Sequence, residues 1–188
     1  MSQKKNFILE TERLILRPWK KNKADAKSLY RYAKDPKVGP AAGWPVHRDP
    51  AHSLEIIRDI LCTPDIYAVV LKENGEIVGV AGITYGATGR KFLKEDEAEI
   101  GYWIGVPYWG QGLAPEAVDR LLERCFEELG INAVWCGYYE GNEKSRRVQE
   151  KCGFVYDHAE DDVLVEALGE RRREHFTKIT KDRWLQNR

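Results

Sequence analysis

At 188 residues, with 43% hydrophobic and 32% charged residues and six tryptophans, the composition is that of one soluble domain (1–188) with enough chain for a core. Thirty basic residues balance thirty acidic ones, so no net field recruits nucleic acid or an anionic membrane. No window approaches a membrane span, and the start, MSQKKNF, has no apolar leader. Cys62, Cys125, Cys136 and Cys152 show no CxxC spacing and no accompanying histidine cluster, which points to a reduced, cytoplasmic protein without a metal.

In chain order, ETERLILRPW (Glu10 to Trp19) alternates Leu14 and Leu16 against Arg13, Ile15 and Arg17 and predicts a strand ended by Pro18. Asn22 to Ala33 predicts a helix with Leu29, Tyr30 and Ala33 on one side. KDPKVGPAAGWPVHRDP is rich in proline and glycine and reads as a loop. Its last residues, Asp49 and Pro50, resemble the N-cap and first residue of a helix that turns Leu54, Ile57 and Leu61 inward. IYAVVL and IVGVAGITY are apolar strands joined through Asn74-Gly75, a hairpin signature. EAEIGYWIGV (Glu97 to Val106) is a further strand. Period two puts Glu97, Glu99, Gly101 and Trp103 on one face and Ala98, Ile100, Tyr102 and Ile104 on the other. Asp96 and Glu97, nearest its start, are expected in solvent.

After the stretch YWGQGL, the residues Ala114, Ala117, Val118, Leu121, Leu122, Cys125, Phe126 and Leu129 recur at helical spacing as far as Gly130, a C-cap. AVWCGYY is a strand, and Glu143 to Lys151 a short helix stopped by Gly153. FVYD, a stretch from Val163 to Leu168, and REHFTKI predict closing strands. Arg171, Arg172 and Arg173, flanked by Glu170 and Glu174, read as a solvated strand edge. The order β-α-α-β-β-β-α-β-α-β-β predicts an α/β (α+β) sheet of mixed sense.

Gly110 and Gly112 stand where a rigid helix begins, although glycine there costs backbone entropy. A helix N-terminus carries unpaired amides and partial positive charge, and bare backbone lets successive amides point at an anion. Each amide bond to a charged oxygen contributes roughly 1.5–3 kcal/mol. The motif GxxxxGK[ST] is absent, and GxGxxG fails because Leu113, Ala114 and Pro115 follow Gly112.

ETERLILRPW, EAEIGYWIGVPYWGQGLAPEAVDRLL, GNEKSRRVQEKCGF and the C-terminal strand with ITKDRW, in this order, resemble the GNAT superfamily of N-acetyltransferases, and most closely its RimJ/RimL-like branch. The resemblance implies a mixed twisted sheet of six to seven strands flanked by about four helices, with a cofactor between two splayed parallel strands. It implies acetyl-CoA as donor, an amine acceptor, no metal, and a monomer or homodimer. Gly112 and Ala114 match the last two positions of the superfamily loop pattern [QR]-x-x-G-x-[GA], whereas Trp109 departs from the first. Backbone amides must then hold the pyrophosphate. The implied cofactor contacts are Ile104 and Val106, whose backbone would pair with the pantetheine, the loop residues Trp109, Gly110, Gln111, Gly112, Leu113 and Ala114, and Asn142.

Acetyl transfer needs a neutral amine, stabilisation of the carbonyl oxygen and help for the departing thiolate. Taken alone, Asn142 is a helix N-cap. The resemblance places Ser145 near the sulfur as acid or hydrogen-bond donor, because Gln149 stands where many relatives carry a tyrosine. It matches Glu99 to the glutamate that holds the acceptor amine or relays its proton; by residue type alone Glu99 is a solvated strand residue. An α-amine is roughly one-seventh neutral at pH 7, a lysine about one part in 2,500, a difference of about 3.5 kcal/mol that favours an α-amine acceptor. Trp44, His47 and Tyr85 are candidate acceptor-pocket residues, with core packing (Trp44, Tyr85) and a surface loop (His47) as the plainer readings. The alternative to catalysis is a binding module that senses acyl-CoA without turnover.

Overall fold

Leu14 and Leu16 are fully buried while Arg13 and Arg17 flank them, so the first alternation does form a strand. Burying each leucine is worth about 1.5–3 kcal/mol. The computed structural model describes residues 7–188. Its elements are β1 (Leu9–Glu10), β2 (Leu14–Pro18), α1 (Lys23–Ala33), α2 (Pro50–Ile56), β3 (Ile66–Leu71), β4 (Ile77–Tyr85), β5 (Glu97–Ile104), α3 (Leu113–Glu123), β6 (Ala133–Tyr139), α4 (Glu143–Lys151), β7 (Val155–Val165), β8 (Glu170–Thr180) and α5 (Lys181–Gln186). Asp49 caps α2 as read, accepting from the His52 amide, and Asn22 caps α1 by accepting from the Asp25 amide.

The strands form one sheet in the order β1-β2-β3-β4-β5-β6-β8-β7. Every neighbouring pair is antiparallel except β5 and β6. This is the mixed-sense sheet expected, with eight strands and five helices among the described residues rather than six to seven and about four. The additions have local causes. The Thr11 amide donates to the Leu14 carbonyl (3.0 Å), a turn that detaches two residues as β1. Thr180 caps α5 through the Arg183 amide. FVYD and the Val163 region merge into the single long strand β7, which bends where its register shifts beside Asp162.

Each sheet face carries its own core. Ala98, Ile100 and Ile104 of β5 join Ala117, Val118, Leu121 and Leu122 of α3 and Trp184 of α5 on one face. On the other, Ala26, Leu29 and Ala33 of α1 pack with Ile57, Leu61, Val70 and Val80. The helical periodicity beyond α3 continues as a wider turn over Arg124–Glu128.

Glu97 departs from expectation. It is buried, accepting from Trp135 Nε1 (3.0 Å) and Lys178 Nζ (2.8 Å), because β6 and β8 run alongside the start of β5. Asp96 keeps a bond from Asn132 (3.0 Å) at an exposed position.

Asp65, at φ 63°, ends the turn before β3 and is buried. It accepts from Arg124 Nε (2.7 Å), Tyr67 Oη (2.9 Å) and Tyr85 Oη (2.8 Å), tying β3 and β4 to the end of the α3 region. Burial pushes this carboxyl up, but the bonds from Arg124, Tyr85 and Tyr67 outweigh it and hold the pKa below the usual value. Its stabilisation is therefore complete above the unfolded carboxylate range and is lost as pH falls through the lowered folded pKa. Asp65→Asn tolerates the same backbone but leaves Arg124 short of a charge, and is expected to cost about 3 kcal/mol, read as a lower urea midpoint at neutral pH, with the difference from the parent shrinking in acid.

Candidate active site

β5 and β6 pair through three residues only, Glu97 with Ala133, Ala98 with Val134 and Glu99 with Trp135. Beyond them the strands part, β6 staying with β8 and β5 with β4. Cys136 Sγ donates to the Ile100 carbonyl (3.2 Å) at the fork. The Ile104 carbonyl, two alternations on, accepts from Trp109 Nε1 (2.6 Å). Backbone groups of β5 alternate in direction, so Tyr102, between these two, also turns its amide and carbonyl toward the opening.

The glycine loop closes one end of this cleft. Gly110 and Gly112 both hold φ 78°, a region that L side chains rarely adopt, and a Cβ on Gly110 would meet only open space. The first intrahelical bond of α3 runs from the Glu116 amide to the Gly112 carbonyl (3.2 Å), so the helix supplies no acceptor for the amides of Leu113 and Ala114. Arg13, immediately before β2, fixes the loop. Its Nη1 donates to the Gln111 carbonyl (2.9 Å) and its Nε to Glu116 (2.7 Å), while Gln111 Nε2 donates to the Pro107 carbonyl (3.1 Å). Bare amides, glycines at positive φ and an open cradle fit an anionic pyrophosphate group.

Trp109 does not stand in for an arginine or glutamine. Its indole N–H satisfies Ile104, and Lys144 Nζ lies 3.6 Å over its ring, so it spans from loop to α4. Val106 lies in the short turn Val106–Tyr108 and its carbonyl accepts from the Trp109 amide (3.1 Å). The expected backbone pairing of Ile104 and Val106 with a ligand is thus narrowed: both carbonyls have internal partners here.

At the other lip, Asn142 Oδ1 caps the Ser145 amide (3.2 Å) and Nδ2 donates to the Ala41 carbonyl (3.1 Å), fastening the long loop to α4. Ser145 Oγ lies 3.0 Å from Tyr102 Oη, across the cleft, and accepts from Gln149 Nε2 (3.1 Å). Gln149 is fully buried and braces α4 against β6 and β8.

Glu99 projects from the opposite face of β5, the face shared with Trp103. Both of its oxygens accept from Arg90 Nε (3.0 Å each), and the same guanidinium clasps Glu174 through Nη1 (2.9 Å) and Nη2 (2.5 Å). Burial pushes the Glu99 carboxyl up against the pull of Arg90. Glu174 is buried too, so it is not part of the solvated edge expected around the arginine run. Trp44 packs between Trp103 (5.6 Å) and His47 (5.2 Å) on this face. His47 is not a surface histidine: it is buried, its Nδ1 lies 2.8 Å from Ser53 Oγ, and burial with neighbouring His52 lowers its pKa to about 4. Tyr85, by contrast, pairs in register with Ala98 and so faces the α3 core, its hydroxyl on Asp65. The structure separates it from Trp44 and His47.

Arg13, Arg90 and Glu174 escaped sequence reasoning as site residues, and so did the contact of Tyr102 with Ser145. Arg13 had a signal, a long cation opposite two buried leucines. Arg90 sits in a loop without periodicity. Among the described residues no group of His, Cys, Asp and Glu is arranged to hold a metal ion.

With this geometry in view, the chain belongs to the GNAT acetyltransferase family: residues 13–155 match its acetyltransferase (GNAT) domain. It is 32% identical over 133 residues to the uncharacterised N-acetyltransferase p20 of Bacillus licheniformis, covering 67% of this chain and 70% of that protein. It is 41% identical over 73 residues to YdaF of Bacillus subtilis (strain 168), provisionally designated a ribosomal N-acetyltransferase, covering 38% of this chain and 40% of that one. The ribosomal-protein-S5-alanine acetyltransferase of Vibrio fischeri shares the fold, with a TM-score of 0.68 over 95% of this chain and 98% of that chain at 21% identity. These likenesses accord with the RimJ/RimL-like branch.

Gly110 and Gly130 (φ 71°) both hold positive φ with nothing near an added Cβ. Alanine at either is expected to cost about 1 kcal/mol of stability, but only Gly110→Ala should weaken coenzyme A binding, by about tenfold or more in calorimetric titration.

Proposed function

We propose that the protein transfers the acetyl group of acetyl-CoA to a primary amine by direct attack within a ternary complex. The observation that carries this reading is the opening of β5 from β6 beside the unpaired amides of the α3 N-terminus. When bound, acetyl-CoA supplies the acyl thioester. The amides from Gly110 to Ala114 hold its pyrophosphate, each bond to charged oxygen contributing roughly 1.5–3 kcal/mol. Asn142 retains one amide hydrogen and one lone pair for the pantetheine. Ser145 stands at the sulfur as hydrogen-bond donor.

Glu99 takes the proton of the attacking amine, directly or through water. Its raised pKa makes it a better acceptor, and Arg90 fixes its direction. When ionised, Glu99 and Glu174 outnumber their shared guanidinium, which favours an ammonium-bearing acceptor. Trp44, Trp103 and His47 wall the acceptor side. Acceptors are protein N-terminal α-amines or small-molecule amines. The α-amine is favoured because so little of a lysine is neutral near pH 7, and the names borne by YdaF and the Vibrio fischeri protein point the same way.

Purified protein is expected to bind acetyl-CoA in the micromolar range with little affinity for ATP; absence of binding overturns the proposal. With an amine that releases thiol, Glu99→Gln should lower kcat/KM about a hundredfold near pH 7 and about tenfold near pH 9, where an α-amine is already neutral. An equal loss at both values would remove Glu99 as the base.

A further inference from the structure

The hydrogen bond between Gln149 and Ser145 has a fixed direction. Gln149 Nε2 is 3.1 Å from the Gly137 carbonyl, which can only accept, and 3.1 Å from Ser145 Oγ. Thr177 Oγ1 lies 2.8 Å from Gln149 Oε1. This orients the carboxamide and commits both of its hydrogens, so Ser145 Oγ accepts from Gln149. The Ser145 proton then has two directions, toward Tyr102 Oη or into the cleft. Tyr102 Oη is 3.0 Å from Ser145 Oγ and 3.1 Å from the Ser145 carbonyl, so both oxygens lie within reach of its single hydrogen. Tyr102 stands three residues beyond the last β5–β6 rung, on the stretch of β5 that faces the opening.

We infer that Tyr102 is a positioning residue for thiol release: by donating to Ser145 Oγ it fills the second lone pair and turns the serine proton toward the departing sulfur. The inference rests on the function proposed above. The phenol thus reaches the cleft from β5 and meets the serine opposite its bond with Gln149. The C–N bond forms as the C–S bond breaks, and sulfur leaves with the electron pair as a thiolate. The amine proton goes to Glu99. Ser145 and Tyr102 keep their protons and only reorient; burial holds the phenol in its protonated form.

The test is the thiol pKa of bound coenzyme A, followed by thiolate ultraviolet absorbance in the wild type, Tyr102→Phe and Ser145→Ala. The wild-type complex should titrate about one unit below the free value of about 8.5, and each variant should return most of that shift. Tyr102→Phe should keep KM for acetyl-CoA and the affinity for the neutral thiol within about twofold while kcat falls about tenfold, an effect within the range of proton-directing groups. The wild-type titration stands without any variant: an unshifted bound thiol overturns the inference. So does a Tyr102→Phe protein whose bound-thiol pKa and kcat equal those of the wild type. A wild-type protein that binds no coenzyme A overturns the proposed function and this inference together.

Discussion

The site depends on one interrupted ladder. Parallel strands need a long crossover, and α3 supplies it between β5 and β6. Had β6 followed β5 to its end, the backbone of Tyr102 and Ile104 would be paired and no cleft would exist. Instead β6 pairs with β8 along its whole length, from Ala133 with Thr180 to Tyr139 with Glu174, and keeps only three rungs with β5. Opening a sheet in its middle exposes amides and carbonyls whose isolation costs free energy. The chain offsets part of this with its own groups: Cys136 at the Ile100 carbonyl and Trp109 at the Ile104 carbonyl.

The two sides of the cleft use polar groups differently. On the α4 side the contacts are neutral hydrogen bonds, with Gln149 donating to both the Gly137 carbonyl and Ser145 Oγ. On the α1 and α2 side they are charges, with one guanidinium between two carboxylates. Arg90 over the Phe176 ring (5.0 Å) adds a cation–π contact to this cluster. A carboxylate gripped symmetrically through one nitrogen retains lone pairs for a further donor, so Glu99 stays available to an amine while its orientation is fixed.

Helices were legible because a 3.6-residue period repeats over many positions: the residues read as the inner face of α3 and its continuation are almost all buried. The face of Glu99 was legible from a period of two. Strand order was not, since nothing periodic says that β8 inserts between β6 and β7. That insertion buried Glu97 and Glu174, both read as solvated. Tyr85 was assigned to the acceptor wall by residue type, whereas register with Ala98 turns it to the other core. Arg90 had no local signal, because its partners come from β5 and β8. Tyr102 was legible only as one residue of a strand face; its bond to Ser145 joins residues 43 apart.

The Arg13 contact also sets a time scale. The carbonyl of Gln111 that Arg13 holds lies 98 residues downstream. On a ribosome, those residues take about 5–20 s to synthesise. The anion loop therefore cannot assume its final shape early: β2 must wait for the glycines and for Glu116 to emerge. Until then Arg13 is an unpaired cation on a nascent chain, and competence to grip a phosphate arrives as a late, long-range event of folding rather than as a property of the loop's own sequence.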